Sequence, residues 1–163
     1  MAGKPALDYR AILQVLADQQ VNFIVVGGVA AVLHGAPLMT FDVDIVHARD
    51  PANIDRLLAA LGSLDGRYRI RPDRRPDASH LASSGHQLLV TRYGPLDILG
   101  SAGADYDYAK LALHAEETRL TPTLAVRVLR LEWIIRLKEE ANADNDRAVL
   151  PILRRTLEEK SRR

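Results

Sequence analysis

Three aspartates carry the chemistry that can be read from this chain. Two of them, Asp42 and Asp44, are separated by one residue in the run Thr-Phe-Asp-Val-Asp-Ile, residues 40–45. On an extended segment, side chains alternate between faces. Phe41, Val43 and Ile45 then point one way and both carboxylates the other, with their Cα atoms roughly 6.5–7 Å apart. Carboxylates held side by side repel and raise each other's pKa unless a cation lies between them. Hard oxygen donors on a rigid element are what Mg²⁺ requires. A solvated outer face of an edge strand would give the same pattern. The third acid, Asp97, sits in Pro-Leu-Asp-Ile-Leu, residues 95–99, again with apolar neighbours on the opposite face. If that strand lies beside the first, Asp97 reaches the same cations.

Upstream, the β-branched run Val21–Val26 ends at Gly27-Gly28 and a short apolar helix follows. Backbone N–H groups at such a junction, with no side chains in the way, suit a phosphate; a tight strand–helix turn with no ligand suits it equally. The segment is neither G-x-G-x-x-G nor a P-loop. Near the C-terminus, Lys138 falls within the apolar arc that Trp133, Ile134, Ile135, Leu137 and Ala141 form on a helical wheel. It either snorkels to an edge or points into a site that wants a cation. Asp146 opens the next helix, where an acid is also favourable for dipole reasons alone. Five arginines (Arg67, Arg69, Arg71, Arg74 and Arg75) crowd nine residues. They read as a solvated basic loop or as contacts to a phosphate backbone. His34, His47, His80, His86 and His114 show no metal-ligand spacing, and Ser83-Ser84 lacks a nucleophile-elbow context.

The elements that must position these groups follow from periodicity. Tyr9, Ile12, Leu13 and Leu16 mark a first helix, Val21–Val26 a buried strand, and Phe41–Val46 a second strand. Asp50-Pro51 caps and starts a helix over ANIDRLLAAL. Residues 62–85 show little periodicity. Gln87–Tyr93 and Leu96–Leu99 read as strands joined at Gly94-Pro95. A helix around Tyr106–His114 (with Tyr106 and Tyr108 packing it on the sheet), a strand at Leu124–Leu129 and two further helices complete the order. Strands and helices interspersed in this way predict an α/β or α+β fold with a central mixed sheet flanked by helices and a helical C-terminal segment. Residues 1–118 read as the core and 119–163 as a strand and helices packed on it in one compact unit.

With 163 residues, 47% of them hydrophobic, the chain suits one domain with a sizeable core. The 22 basic and 21 acidic side chains nearly cancel, which argues against binding polyanions through bulk charge. Residues 119–163 nevertheless carry 11 basic against 7 acidic groups, so an anion is better met there than by the body. The absence of cysteine excludes disulfides, thiolate metal sites and cysteine nucleophiles. No apolar run approaches the roughly 20 residues of a membrane helix, and Met1–Arg10 lacks the apolar stretch of a signal peptide. The expectation is a soluble, cytoplasmic protein.

Together, the strand leading to Gly27-Gly28, a spacer of 13 residues from Val29 to Phe41, Asp42-Val-Asp44 and the later Asp97 resemble the nucleotidyltransferase superfamily with the DNA polymerase β-like fold. The surrounding sequence (GGVAAVLHG, TFDVDIVHARDPANIDRLLAAL, GPLDILG) is most similar to small bacterial AbiEii-type nucleotidyltransferase toxins, over roughly residues 10–155. The resemblance implies transfer of NMP from an NTP to an acceptor hydroxyl with two Mg²⁺ ions, or Mn²⁺, on Asp42, Asp44 and Asp97. Gly27, Gly28, Thr40, Lys138 and Asp146 become nucleotide-binding residues. The implied acceptor is RNA, often a tRNA 3′ end, and the implied partner a cognate antitoxin. Antibiotic nucleotidyltransferases that modify aminoglycosides or lincosamides are the alternative, as is a nucleotide-binding module of the same fold without transfer. The chain departs from its relatives at two places: Leu38 and Met39 stand where a basic residue precedes the Thr, and Ala143-Asp144-Asn145 replaces a basic turn before Asp146.

Overall fold

The apolar spacings dictate most of the architecture. A computed structural model describes residues 6–163, so the N-terminal segment 1–5, part of the stretch judged against a signal peptide, lies outside the described residues. Asp8 caps α1 (Tyr9–Asp18) by accepting from the Ala11 N–H, and Ile12, Leu13 and Leu16 are fully buried along its inner face. The β-branched run forms β1 (Phe23–Val26), shorter than predicted and buried on both faces. It passes directly into α2 (Gly27–Leu33), which begins at the first glycine rather than at Val29. Next come β2 (Val43–His47) and α3 (Pro51–Ser63), the latter capped by Asp50 accepting from the Asn53 N–H at 3.1 Å.

Between residues 62 and 85, where periodicity was weak, lie β3 (Arg67–Tyr68) and α4 (Ala78–Ala82). Both are too short for a pattern to develop. Strands β4 (His86–Thr91) and β5 (Gly94–Leu99) form the expected hairpin. Its turn is Arg92-Tyr93 rather than Gly94-Pro95, because Thr91 pairs with Gly94. After α5 (Tyr108–Ala112) comes β6 (Ala115–Thr121), an edge strand whose charged, largely exposed sequence gave no apolar alternation to detect. The chain ends in β7 (Leu124–Leu129), α6 (Leu131–Ala141) and α7 (Asp144–Ser161). Tyr108 opens α5 and packs it against the core and β7 as expected, whereas Tyr106 precedes the helix and turns toward α6. Tyr106 meets Trp133 edge-on and donates to Glu140, and the Tyr108 hydroxyl accepts from Arg127.

The seven strands form one mixed sheet in the order β3-β4-β5-β2-β1-β7-β6. The pairs β2·β5 and β1·β7 are parallel, the remainder antiparallel. His47 hydrogen-bonds the Leu81 carbonyl on α4, which fixes His47, Ile45 and Val43 on the face covered by α3 and α4. Asp44 and Val46 then look toward α2 and α6. No described helix is long and apolar enough to cross a membrane.

Candidate functional site

Register brings the acids together. In the parallel β2·β5 pair, Asp44 lies beside Asp97. Asp42 occupies the bend that enters β2, and Thr40 fixes that bend by donating to the Asp42 carbonyl at 3.1 Å. Ligand oxygens of Asp42, Asp44 and Asp97 all lie within 4.8 Å of one another. The strand expected over Phe41–Val46 starts only at Val43, and Phe41 does not face the core. It is 73% exposed, because the bend releases it from the alternation that holds Val43 and Ile45 inside.

The electrostatics of the cluster match its geometry. Burial, reinforced by the charges of Asp42 and Asp97, pushes the Asp44 carboxyl up to about 8. Asp42 is also raised, by burial first and by Asp97 second, with Arg69 acting against both. Hard oxygen donors on Asp42 and Asp44 whose burial and mutual repulsion favour the protonated form fit a divalent cation, whose binding would displace those protons. Asp42, Asp44 and Asp97 would hold it.

Gly27 is explained by the same cluster. Its φ is +68°, a region that side chains rarely adopt, and a Cβ there would collide with the Asp44 carboxylate. At Gly28 a Cβ would stand 2.9 Å from the Thr40 hydroxyl. The two glycines therefore let the chain pass close over Asp44 and Thr40, whatever else binds. Lys138 and Asp146 meet in an ion pair at 3.0 Å, and with Gly27, Asp44, Ile134 and Leu137 they line a hollow of about 280 Å³. Lys138 thus points into the site instead of snorkelling away. Asp146 occupies the first turn of α7 and is its partner.

Sequence reasoning missed Arg69 as a member of this site. Its backbone N–H continues the β3·β4 ladder to the Leu88 carbonyl, and its Nη2 donates to Asp97 Oδ1 at 2.7 Å and to the Leu89 carbonyl at 3.0 Å. The signal was the spacing of Arg67 and Arg69 two residues apart, which on a strand places both on the face of Asp97. Three of the other arginines serve locally: Arg67 and Arg75 pair with Asp65, and Arg71 with Asp73. His34 and His47 are buried on backbone carbonyls, His86 bonds the Ser101 carbonyl, His80 closes the α4 capping box, and His114 stacks on Trp133.

No family model and no curated protein sequence matches the chain. Solved structures do. TM1012 from Thermotoga maritima, a candidate nucleotidyltransferase, aligns with a TM-score of 0.57 at 19% identity, covering 93% of this chain and 91% of its own. ANT(2'')-Ia in complex with adenylyl-2''-tobramycin aligns at 0.60 and 16% identity, over 91% and 87%. The lincosamide antibiotic adenylyltransferase LnuA, bound to lincomycin, aligns at 0.61 and 15% identity, over 90% and 94%. The chain has the nucleotidyltransferase fold.

Proposed function

We propose that the protein transfers an NMP unit from an NTP to an acceptor hydroxyl, using divalent metal held by Asp42, Asp44 and Asp97. The observation that carries this is the convergence of three carboxylates, from two adjacent strands and the bend that enters one of them, opposite Gly27 and Lys138. Mg²⁺ bound there would supply charge neutralisation for the entering and leaving oxygens. The chain's own residues do the rest. Gly27 and Gly28 keep side chains out of the path of the phosphates, and Lys138 steadies the phosphate tail. Asp97, fixed by Arg69, takes the acceptor proton as the acceptor oxygen bonds to the α-phosphorus. The bond from that phosphorus to the bridging oxygen breaks, and pyrophosphate leaves with the electron pair on the Lys138 side. No covalent enzyme intermediate is needed. Asp146 holds Lys138 in place, and Thr40 holds the bend that carries Asp42.

Two acceptor classes follow. An RNA 3′ hydroxyl, with an antitoxin as regulator, draws on the AbiEii-type resemblance and would use the arginine-rich segment 67–75. A small hydroxylated compound draws on the fold neighbours that carry adenylyl-tobramycin and lincomycin.

The test is transfer of label from a mixture of α-³²P-labelled NTPs with Mg²⁺ to these acceptors. Asp44→Asn should lower kcat by about a thousandfold or more, with the variant still folded. Undiminished transfer by Asp44→Asn would show that the metal site lies elsewhere.

A further inference from the structure

The carboxylate face of the sheet continues on both sides of Asp97. Alternation along β5 sets Pro95, Asp97 and Leu99 on that face, and the ladder puts Val90, Leu88 and His86 beside them. Toward Leu99 and His86 lies the hollow of Gly27, Asp44 and Lys138. Toward Pro95 and Val90 lies a second, larger one of about 730 Å³. Two of its lining residues are bonded directly to the triad: Thr40 to the Asp42 carbonyl and Arg69 to the Asp97 carboxylate. Among the described residues, the rest of the wall is apolar and includes Leu7, Phe41, Pro72, Val90 and Pro95.

In-line displacement requires the entering and leaving oxygens on opposite sides of the phosphorus. If pyrophosphate departs beside Lys138, the attacking hydroxyl arrives from the Pro95 side. This inference rests on the nucleotidyl-transfer reading above and adds the acceptor to it. The chemistry of the hollow restricts what can enter. Its guanidinium spends Nη2 on Asp97 and the Leu89 carbonyl, and its charge is offset by the Asp97 carboxylate, which leaves little net positive charge for a polyanionic backbone. Arg71, Arg74 and Arg75 line a different hollow, with Tyr68 and Ile70. Among the described residues, no carboxylate lines the larger hollow to gather a polycation. An exposed aromatic, Phe41, stands at its rim next to Asp42. Apolar walls with a few oriented polar groups, at this volume, suit a compact organic molecule.

We infer that the Leu7–Phe41–Val90–Pro95 hollow is the acceptor site, and that the acceptor is a compact, weakly charged hydroxylated molecule with an apolar body, not RNA. The acceptor O–H loses its proton to Asp97, its oxygen gains the NMP, and pyrophosphate carries off the bridging oxygen.

Three acceptors test it with labelled NTPs and Mg²⁺: lincomycin (amphiphilic, one amine), tobramycin (a polycation) and total tRNA (a polyanion). Lincomycin should be labelled about tenfold faster than either of the others. Val90→Asp should raise its KM about tenfold, and Phe41→Ser, at an exposed position that folding tolerates, by a few-fold. Thermal stabilisation by Mg·NTP should be unchanged in both variants. Faster labelling of tobramycin or tRNA overturns the inference. So does label on lincomycin with a KM that neither variant moves, or label on no acceptor while Mg·NTP still stabilises the protein. Loss of that stabilisation as well would overturn the nucleotidyl-transfer reading itself.

Discussion

On one side of Asp97 the sheet face is built from Gly27, Asp44, Lys138 and Asp146, and on the other from Leu7, Phe41, Val90 and Pro95. The first side carries charged groups set among apolar neighbours such as Ile134 and Leu137, and those groups are held by strand register, a positive-φ glycine and an ion pair. The second is apolar, and its polar members, Thr40 and Arg69, are spent on supporting the acids. One strand pair thus separates a surface suited to phosphates from one suited to an organic body, with the reacting carboxylates at the boundary. Fixed charge is concentrated where charge develops in the reaction, and the remainder of the face is free to set specificity.

The comparison breaks most completely at the boundary itself. Asp97→Asn removes the proton acceptor and a metal-ligating charge, and kcat should fall by about a thousandfold in the labelled-NTP assay with little loss of fold. Gly27→Ala should cost both activity and stability. The backbone strain alone is worth about 1–3 kcal/mol, and the new methyl also displaces the Asp44 carboxylate; denaturant unfolding reads the stability change.

Lys138→Gln tests the polar side alone. It should raise the KM for NTP about tenfold and leave the KM for acceptor unchanged. Stability should move by about 1 kcal/mol or less, since the Lys138–Asp146 pair is only partly buried.

Acidity sharpens the same boundary. Asp44 is raised to about 8, against about 3.9 for an unfolded aspartate, so the folded state binds the extra proton. The stability this contributes to the metal-free protein is fully present below about pH 4 and is lost as pH rises through about 8. Asp44→Asn should therefore raise the metal-free Tm more at about pH 8.5 than at about pH 5.5, read by thermal denaturation.

His34, at the opposite end of α2 from Gly27, gives the opposite and smaller response. It donates through Nε2 to the Leu129 carbonyl and accepts from Lys160 at Nδ1, and burial lowers its pKa. The unfolded chain takes the proton first, so stability falls as pH drops below about 6.5. His34→Gln should flatten that slope.

The polar side was legible in the sequence because each of its features has a period or a spacing. Asp42, Asp44 and Asp97 stand out as charges on apolar strands, Gly27-Gly28 ends a β-branched run, and Lys138 breaks an apolar helical arc. The apolar side was not. Phe41 read as a core residue because alternation was extended two residues too far, across a bend held by the Thr40 hydroxyl. Leu7, Pro72 and Val90 come from three distant segments that only the sheet order brings together. Arg69 directly follows a strand of two residues, below the length at which periodicity can be recognised. The charged edge strand β6 escaped for a related reason: with no buried face of its own, it leaves no alternating signature.

Anomalous diffraction from crystals grown with Mn²⁺ and a non-hydrolysable NTP analogue addresses the metal-site proposal directly. The account predicts manganese peaks among the carboxylates of Asp42, Asp44 and Asp97, with the phosphate tail of the analogue against Lys138. Nucleotide bound with no manganese at those three side chains, or with its phosphates on the Phe41 side, would contradict it.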